Sequence, residues 1–302
     1  MLVLLILLLA FVCGCSSGPE VTAGPVEQFP SPMADAIRGH GRVRNEDVPG
    51  ASFVLKDVLS KPVEVYFTDR GREVDRVNLL VHFHGAGYVA RRAAYDSGRP
   101  FILAVVNLGA GSSVYEREFQ SESAFDRLVE GVRDCISQRQ AADIEIGRVY
   151  VSSFSAGYGA VRAILKDHAS EIDGIVLLDG LHTDYVPPRQ VLAQGGKLND
   201  AKLKGFRDYA RQAMEGQKKL LITHSEIFPG TYASTTETTD YLLDSLHLQR
   251  HPVLKWGPVG MQMLTETRAG GLTVLGFAGN TAPDHIDHLH GLPAFLKMLL
   301  DE

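Results

Sequence analysis

From residue 77 onward the chain carries short, uninterrupted apolar runs separated by stretches of helical period. The runs are "VNLLVHFHG" (77–85), "FILAVVNLG" (101–109), "RVYVSSFS" (148–155), "IDGIVLLDG" (172–180), "KKLLITHS" (218–225) and "LTVLGFAG" (272–279). They are rich in Val, Ile and Leu and mostly continuous rather than alternating, the pattern of strands buried on both faces. Between them, "SAFDRLVEGVRDCISQ", "GYGAVRAILKDHA", "DAKLKGFRDYARQAM" and "STTETTDYLLDSLH" have the spacing of helices. Upstream, "ASFVLKDV" and "PVEVYFTD" are short and alternate, which predicts two strands of an antiparallel N-terminal edge. The alternation of strand and helix predicts an α/β fold, a doubly wound and mostly parallel sheet. Ligands of such sheets bind beyond the carboxyl ends of the strands, so chemistry is sought in the residues that follow each run.

Composition narrows the classes. With 302 residues, 45% hydrophobic and 22% charged, the chain suits one large globular domain. A net charge of −6 and the lack of a long Lys or Arg run give no electrostatic footprint for nucleic acid. The apolar stretch Leu2 to Val12 is too short to span a bilayer as a helix and has the length of an export-signal core. It ends in Val12-Cys13-Gly14-Cys15, which resembles a bacterial lipobox, although no Lys or Arg precedes it. That resemblance implies that residues 1–14 are a signal peptide and that Cys15 is lipidated, attaching the protein to a membrane of the cell envelope. A plain secretory signal cut nearby is the alternative. Residues 15–45 are rich in Ser, Gly, Pro and charge and read as a tether, with the domain proper at 46–302. Processing at Cys15 would leave Cys135 as the only unmodified cysteine, so no disulfide is expected.

Candidate chemistry sits at the strand ends. In "RVYVSSFSAGYGAVRAIL" (148–165) a strand bends into a helix through Ser153-Phe154-Ser155-Ala156-Gly157. A nucleophile at such a bend needs small residues two before and two after it, and Ser153 and Gly157 fill those places around Ser155. "VHFHGAGYV" ends a strand in His84-Gly85-Ala86-Gly87, where glycines allow backbone to come close to a ligand. After the last run, residues 280–299 hold His285, His288 and His290, while Asp179 and Glu226 follow two earlier runs.

In chain order, glycine loop, elbow serine, acid and histidine, over about residues 50–300, the motifs resemble the α/β-hydrolase family, in particular its serine esterases and depolymerases. Ser153 stands where the family's elbow usually has its first Gly. The resemblance implies acyl transfer to water with Ser155 as nucleophile, and an oxyanion held by the Ala156 amide and one from Gly85 or Ala86. His285, at the loop-to-helix junction, is the expected base, with His288 as alternative and His290 on the helix surface. For the acid, the later strand is the commoner family position, which favours Glu226. Asp is the usual residue type, and Asp179-Gly180 closes a buried strand, which favours Asp179. Asp179 is the first choice and Glu226 the alternative. His82 and His84 are expected to be structural, the second tying its loop down. The implied partner is a small-molecule or polymeric ester, with no cofactor and no metal.

Other readings make distinct demands. His285-x-Asp287-His288 matches three of four ligand positions of the metallo-β-lactamase motif, with Pro283 in the fourth, and a zinc-dependent activity would mark it. A serine peptidase or amidase on the same fold would share the triad, though the segment from about 181 to 216 is short for a gating domain. A non-catalytic binding lipoprotein would need none of the motifs. Arg91 and Arg92 follow the glycine loop and are candidates to hold an anionic group.

Overall fold

The computed structural model describes residues 40–140 and 143–301. The signal peptide, Cys15 and most of the tether lie outside the described residues. The described chain runs β1 (Gly50–Leu55), β2 (Val63–Thr68), β3 (Arg76–Phe83), α1 (Gly87–Asp96), β4 (Phe101–Val106), α2 (Ser112–Glu118), α3 (Glu122–Gln140), β5 (Glu145–Phe154) and α4 (Tyr158–Ile164). It continues through β6 (Gly174–Leu178), β7 (Tyr185–Val186), β8 (Lys197–Leu198), α5 (Asp200–Met214), β9 (Lys219–His224) and α6 (Thr235–Ser245). The last elements are β10 (His251–Trp256), β11 (Gln262–Ala269), β12 (Leu272–Phe277), α7 (Ala282–His290) and α8 (Leu292–Asp301).

The main sheet has the order β1-β2-β4-β3-β5-β6-β9-β12-β11-β10. Its six central strands, β4 to β12 in that order, are parallel. The predicted N-terminal edge, β1 and β2, is antiparallel. The opposite edge, β10 and β11, is antiparallel too, and the apolar pattern does not predict it. β10 contains a proline, and its Leu254 and Trp256 are exposed. An exposed edge strand has no buried face to impose a legible period.

Continuous apolar strands serve both faces of the sheet, because successive side chains point to opposite sides. Ile102, Ala104 and Val106 of β4 join one core cluster with Leu128 of α3, Val161 of α4 and Phe206 of α5. Phe101, Leu103 and Val105 join the other, with Ala90 and Ala94 of α1 and Phe295 and Leu299 of α8. The segment 181–216 forms a two-stranded ribbon, β7 with β8, and then α5, which packs on the sheet.

The folded part starts earlier than composition suggests. His40 Nδ1 lies 2.5 Å from Asp287 Oδ2, Arg42 Nε donates to Asp287 Oδ1 at 2.8 Å, and the Gly41 amide donates to the Val259 carbonyl. Residues 40–45, assigned to the tether by their polarity, are thus partly docked, through the contacts with Asp287 and through Val43, which packs on the core, and so short a segment leaves no period to read.

Two strand histidines set a pH dependence. Burial, with nearby His84 adding to it, pushes the His82 imidazole down to about 3. Burial and then the Arg250 charge push His224 down to about 3. Each is neutral in the fold, while an unfolded histidine gains a proton below ~6.5. Their stabilisation is therefore complete above that pH and is lost progressively toward 3. His168, raised despite its burial by Glu171, the Glu122 carbonyl and Asp126, opposes this in part. Urea unfolding at pH 7, 6 and 5 should show stability falling at each step, and a flat or rising trend would contradict the assignment.

Candidate active site

The site forms where the sheet order turns. β3 lies between β4 and β5, so the chain runs from β3 to one side for β4 and then crosses back past β3 to reach β5 on the other. A crevice opens at such a switch point beyond the strand ends. Phe83, the last residue of β3, pairs with Ser153, and Phe154, the last of β5, pairs with Leu178, the last of β6. The loop after β3, the bend after β5 and the residue after β6 therefore emerge side by side.

Small residues at the bend are required by this crowding. A Cβ on Gly157 would stand 2.2 Å from the Phe83 carbonyl oxygen, and one on Gly180 would stand 2.7 Å from the Ser155 carbonyl oxygen. Ser153 is fully buried against its neighbours. Ser155 itself has φ of 46°, a left-handed conformation that non-glycine residues adopt at a cost of about 1–3 kcal/mol. It is the tip of a strained strand-to-helix turn.

The loop after β3 is held from two sides. Its Gly85 amide donates to Asn107 Oδ1 at 3.0 Å, and Asn107 Nδ2 donates to the Gly85 carbonyl at 3.0 Å. His84 Nδ1 lies 2.9 Å from the Tyr115 hydroxyl, which also accepts from the Leu108 amide at 3.2 Å. The Gly85 N–H is thereby occupied. The Ala86 and Ala156 amides make no hydrogen bond to the described residues, and N–H groups in so crowded a place are normally paired. Of the two candidates in the loop, Ala86 is the one with a donor available.

Asp179 and His285 form a pair in the cleft that Ser155 also lines. His285 Nδ1 lies 2.7 Å from Asp179 Oδ2. The Asp179 carboxylate is 2% exposed and also accepts from the Ser225 amide (2.9 Å), the Ser225 hydroxyl (2.7 Å) and the Thr235 hydroxyl (2.6 Å). Burial alone would raise its pKa, but the charges of His288 and His285 and the hydrogen bonds from His285 and Thr235 hold it well below the carboxylate range. It stays ionised. Phe154 packs between the His285 ring, 4.5 Å from centroid to centroid, and the His84 ring at 6.0 Å. Ser155, Asp179 and His285 line one cleft of about 280 Å³, with His182, Ile227, Pro229, Tyr232 and Thr235 among its walls.

Other sequence candidates lie elsewhere. Glu226 is exposed and its backbone and side chain engage Gly279. His288 is buried, with Nδ1 2.8 Å from Thr223 Oγ1 and its ring against Phe277. Asp287 is taken by His40 and Arg42. His285, Asp287 and His288, the residues of the metal reading, thus engage three different sets of partners. Successive helix positions diverge by about 100°, so a shared motif in sequence is not a shared site in space. His290, expected on the helix surface, is 7% exposed and packs near Tyr88. Arg92 pairs with Asp96, and Arg91 lines a separate cleft with Tyr66 and Gly87.

Sequence reasoning did not single out Asn107, Tyr115, Ser225, Thr235 or His182. Asn107 and Ser225 each directly follow a strand, β4 and β9, so the strand-end rule that located Ser155 applies to them. Tyr115 and Thr235 reach the site from helices and leave no such signal.

No family model matches the chain, and no curated protein sequence matches it. Solved structures do. The enterobactin esterase FES from Shigella flexneri matches with a TM-score of 0.51 at 14% identity, over 87% of this chain and 63% of that one. The S-formylglutathione hydrolase FrmB from Staphylococcus aureus matches with a TM-score of 0.46 at 13% identity, over 86% of this chain and 99% of that one. A feruloyl esterase module from Clostridium thermocellum matches with a TM-score of 0.48 at 11% identity, over 83% and 90%. The likeness is one of fold. The doubly wound sheet is of the α/β-hydrolase type.

The crowding at Gly157 is open to test. Gly157→Ala should lower stability by about 1–3 kcal/mol in urea unfolding, because the new methyl overlaps the Phe83 carbonyl. Gly109→Ala, whose Cβ would meet nothing nearer than 3.9 Å, is the control and should change stability far less. Equal effects would show that the elbow is not tightly packed on β3.

Proposed function

We propose that the protein is a serine hydrolase that cleaves carboxylic esters through an acyl-enzyme on Ser155. One observation carries the reading: Ser155, at a strained elbow, shares a cleft with His285, whose Nδ1 is bonded to the buried Asp179 carboxylate. Nδ1 is committed to Asp179, so Nε2 is the nitrogen left to take the Ser155 proton. The Ser155 oxygen then bonds to the ester carbon, and the carbonyl electrons move to oxygen. The resulting anion accepts hydrogen bonds from the Ala156 and Ala86 amides, which cost no reorganisation because the clamped loop and elbow fix them beforehand. Collapse breaks the bond to the alcohol, which leaves with the proton from His285. Water, deprotonated by His285, attacks the acyl-enzyme and releases the acid, restoring Ser155. Asp179 keeps its negative charge throughout and stabilises the imidazolium in each half.

The match to a solved esterase of the same fold supports the ester class. The cleft walls, with Ile227, Pro229 and Tyr232, suit an uncharged substrate portion. The lipobox-like Val12-Cys13-Gly14-Cys15 supports export and a lipid anchor at Cys15. No helix of the described residues is long and apolar enough to cross a membrane.

A panel of short acyl esters and matched amides tests the reaction. Ester turnover should fall by a factor of about 10³ or more in Ser155→Ala and by up to about 10⁴ in Asp179→Asn, with melting temperatures showing that each variant is folded. Glu226→Gln should stay near the native rate. Amide turnover above ester turnover would transfer the reading to an amidase, and full ester activity in Ser155→Ala would refute it. For the anchor, mass spectrometry of the mature protein should find a diacylglyceryl group on Cys15 as the first residue. An unmodified N-terminus beyond residue 15 would remove the lipoprotein proposal.

A further inference from the structure

One cleft residue has a hydrogen-bonding capacity that the hydrolytic steps do not use. His182 follows Asp179 by three positions and lines the same cleft as Ser155 and His285. Its Nδ1 lies 2.9 Å from the Ala233 carbonyl oxygen. A carbonyl can only accept, so Nδ1 carries the proton and donates it. Burial, above all, keeps the imidazole pKa below its ordinary value, and the charges of His285 and Arg162 add to this. The ring is thus neutral, and its Nε2 is a lone-pair acceptor.

That acceptor makes no hydrogen bond to the described residues, and it is not among their buried, unpartnered side-chain atoms. It is therefore open to the cleft. The ring is also fixed in place, edge to face between Tyr158 (5.4 Å, 64°) and Tyr232 (5.1 Å, 90°). A fixed, neutral acceptor beside a reacting serine is a device for choosing substrates that bring a donor. The cleft walls of Ile227, Pro229 and Tyr232 suit an uncharged portion of a substrate, so the donor that fits here is a neutral one.

We propose that His182 is a specificity-determining residue whose Nε2 accepts a hydrogen bond from a hydroxyl group of the substrate, making hydroxylated esters the preferred class. The inference rests on the ester-hydrolase reading of the cleft. It requires no change in the reaction: the hydroxyl is held and does not react. An ester without it leaves Nε2 unpaired in the closed complex, and a site built around a substrate hydroxyl discriminates against the analogue that lacks one.

The test uses matched pairs: ethyl 3-hydroxybutyrate against ethyl butyrate for a hydroxyl on the acyl side, and glyceryl monobutyrate against propyl butyrate for one on the alcohol side. The native protein should favour the hydroxylated member of at least one pair by about tenfold or more in kcat/KM, the scale of one neutral hydrogen bond. His182→Asn retains an N–H to reach the Ala233 carbonyl but no acceptor at the Nε2 position, and should bring that ratio close to one. His182→Phe, which keeps a ring between the tyrosines, should do the same if the first variant folds poorly. An unchanged ratio in a folded variant, or equal turnover of both members of each pair by the native protein, overturns the proposal. Calorimetry with Ser155→Ala separates the two readings, since it follows binding without turnover. Tighter binding of the hydroxylated ester that is lost in Ser155→Ala/His182→Asn supports the role of His182 even if the native protein hydrolyses none of the four esters, an outcome that would count against the ester reading alone. Equal binding of both members of each pair overturns it.

Discussion

The site depends on keeping one carboxylate charged in a place without water. Asp179 is 2% exposed, and isolating a carboxylate there would cost several kcal/mol. Four donors offset that cost: the Ser225 amide and hydroxyl, the Thr235 hydroxyl and His285 Nδ1. They come from the end of β9, the start of α6 and the first turn of α7. A single charge therefore draws three separate segments onto the end of β6, and it fixes which imidazole nitrogen carries the proton. Removing it would leave all four donors without their acceptor, which is why its neutral replacement is the more informative variant.

Backbone strain gathers around the same point. His84, Ser155 and Asp179 have φ of 69°, 46° and 42°, and they directly follow the three neighbouring strands β3, β5 and β6. Each such residue costs about 1–3 kcal/mol and persists only where its surroundings over-determine it. Here the surroundings can be named. Gly157 fits under the Phe83 carbonyl, Gly180 fits against the Ser155 backbone, and Asn107 holds Gly85 through both its amide and its carbonyl. The strained turns bring Ser155 and Asp179 to the cleft they both line, and the glycine contacts and the Asn107 clamp hold the neighbouring backbone in place.

The central sheet was legible because strands covered on both faces are apolar along most of their length, as six runs in the sequence are. The second antiparallel edge was not, since β10 and β11 are partly exposed and mix polar with apolar positions. Docking of residues 40–45 was hidden for a related reason, as hydrogen bonds to Asp287 and a single packed valine, Val43, leave no periodic trace. Ser155, Asp179 and His285 were singled out because they come after strands in chain order, and the structure brings the three to one cleft. Between Asp179 and Glu226 the sequence reading rested on residue type, and the structure adds that His285 bonds to Asp179 while Glu226 engages Gly279. His290 was placed on the surface because a histidine late in a helix usually is, whereas the turn into α8 carries it inward beside Tyr88.

The central claim is that Ser155, the Ala86 and Ala156 amides and the His285–Asp179 pair act on one carbonyl. A crystal structure of the protein after reaction with a fluorophosphonate tests it most directly. The account predicts phosphorus bonded to the Ser155 oxygen, the phosphoryl oxygen about 2.7–3.1 Å from both amide nitrogens, and His285 still bonded to Asp179. Phosphorus on any other residue, or a phosphoryl oxygen turned away from both amides, would contradict it.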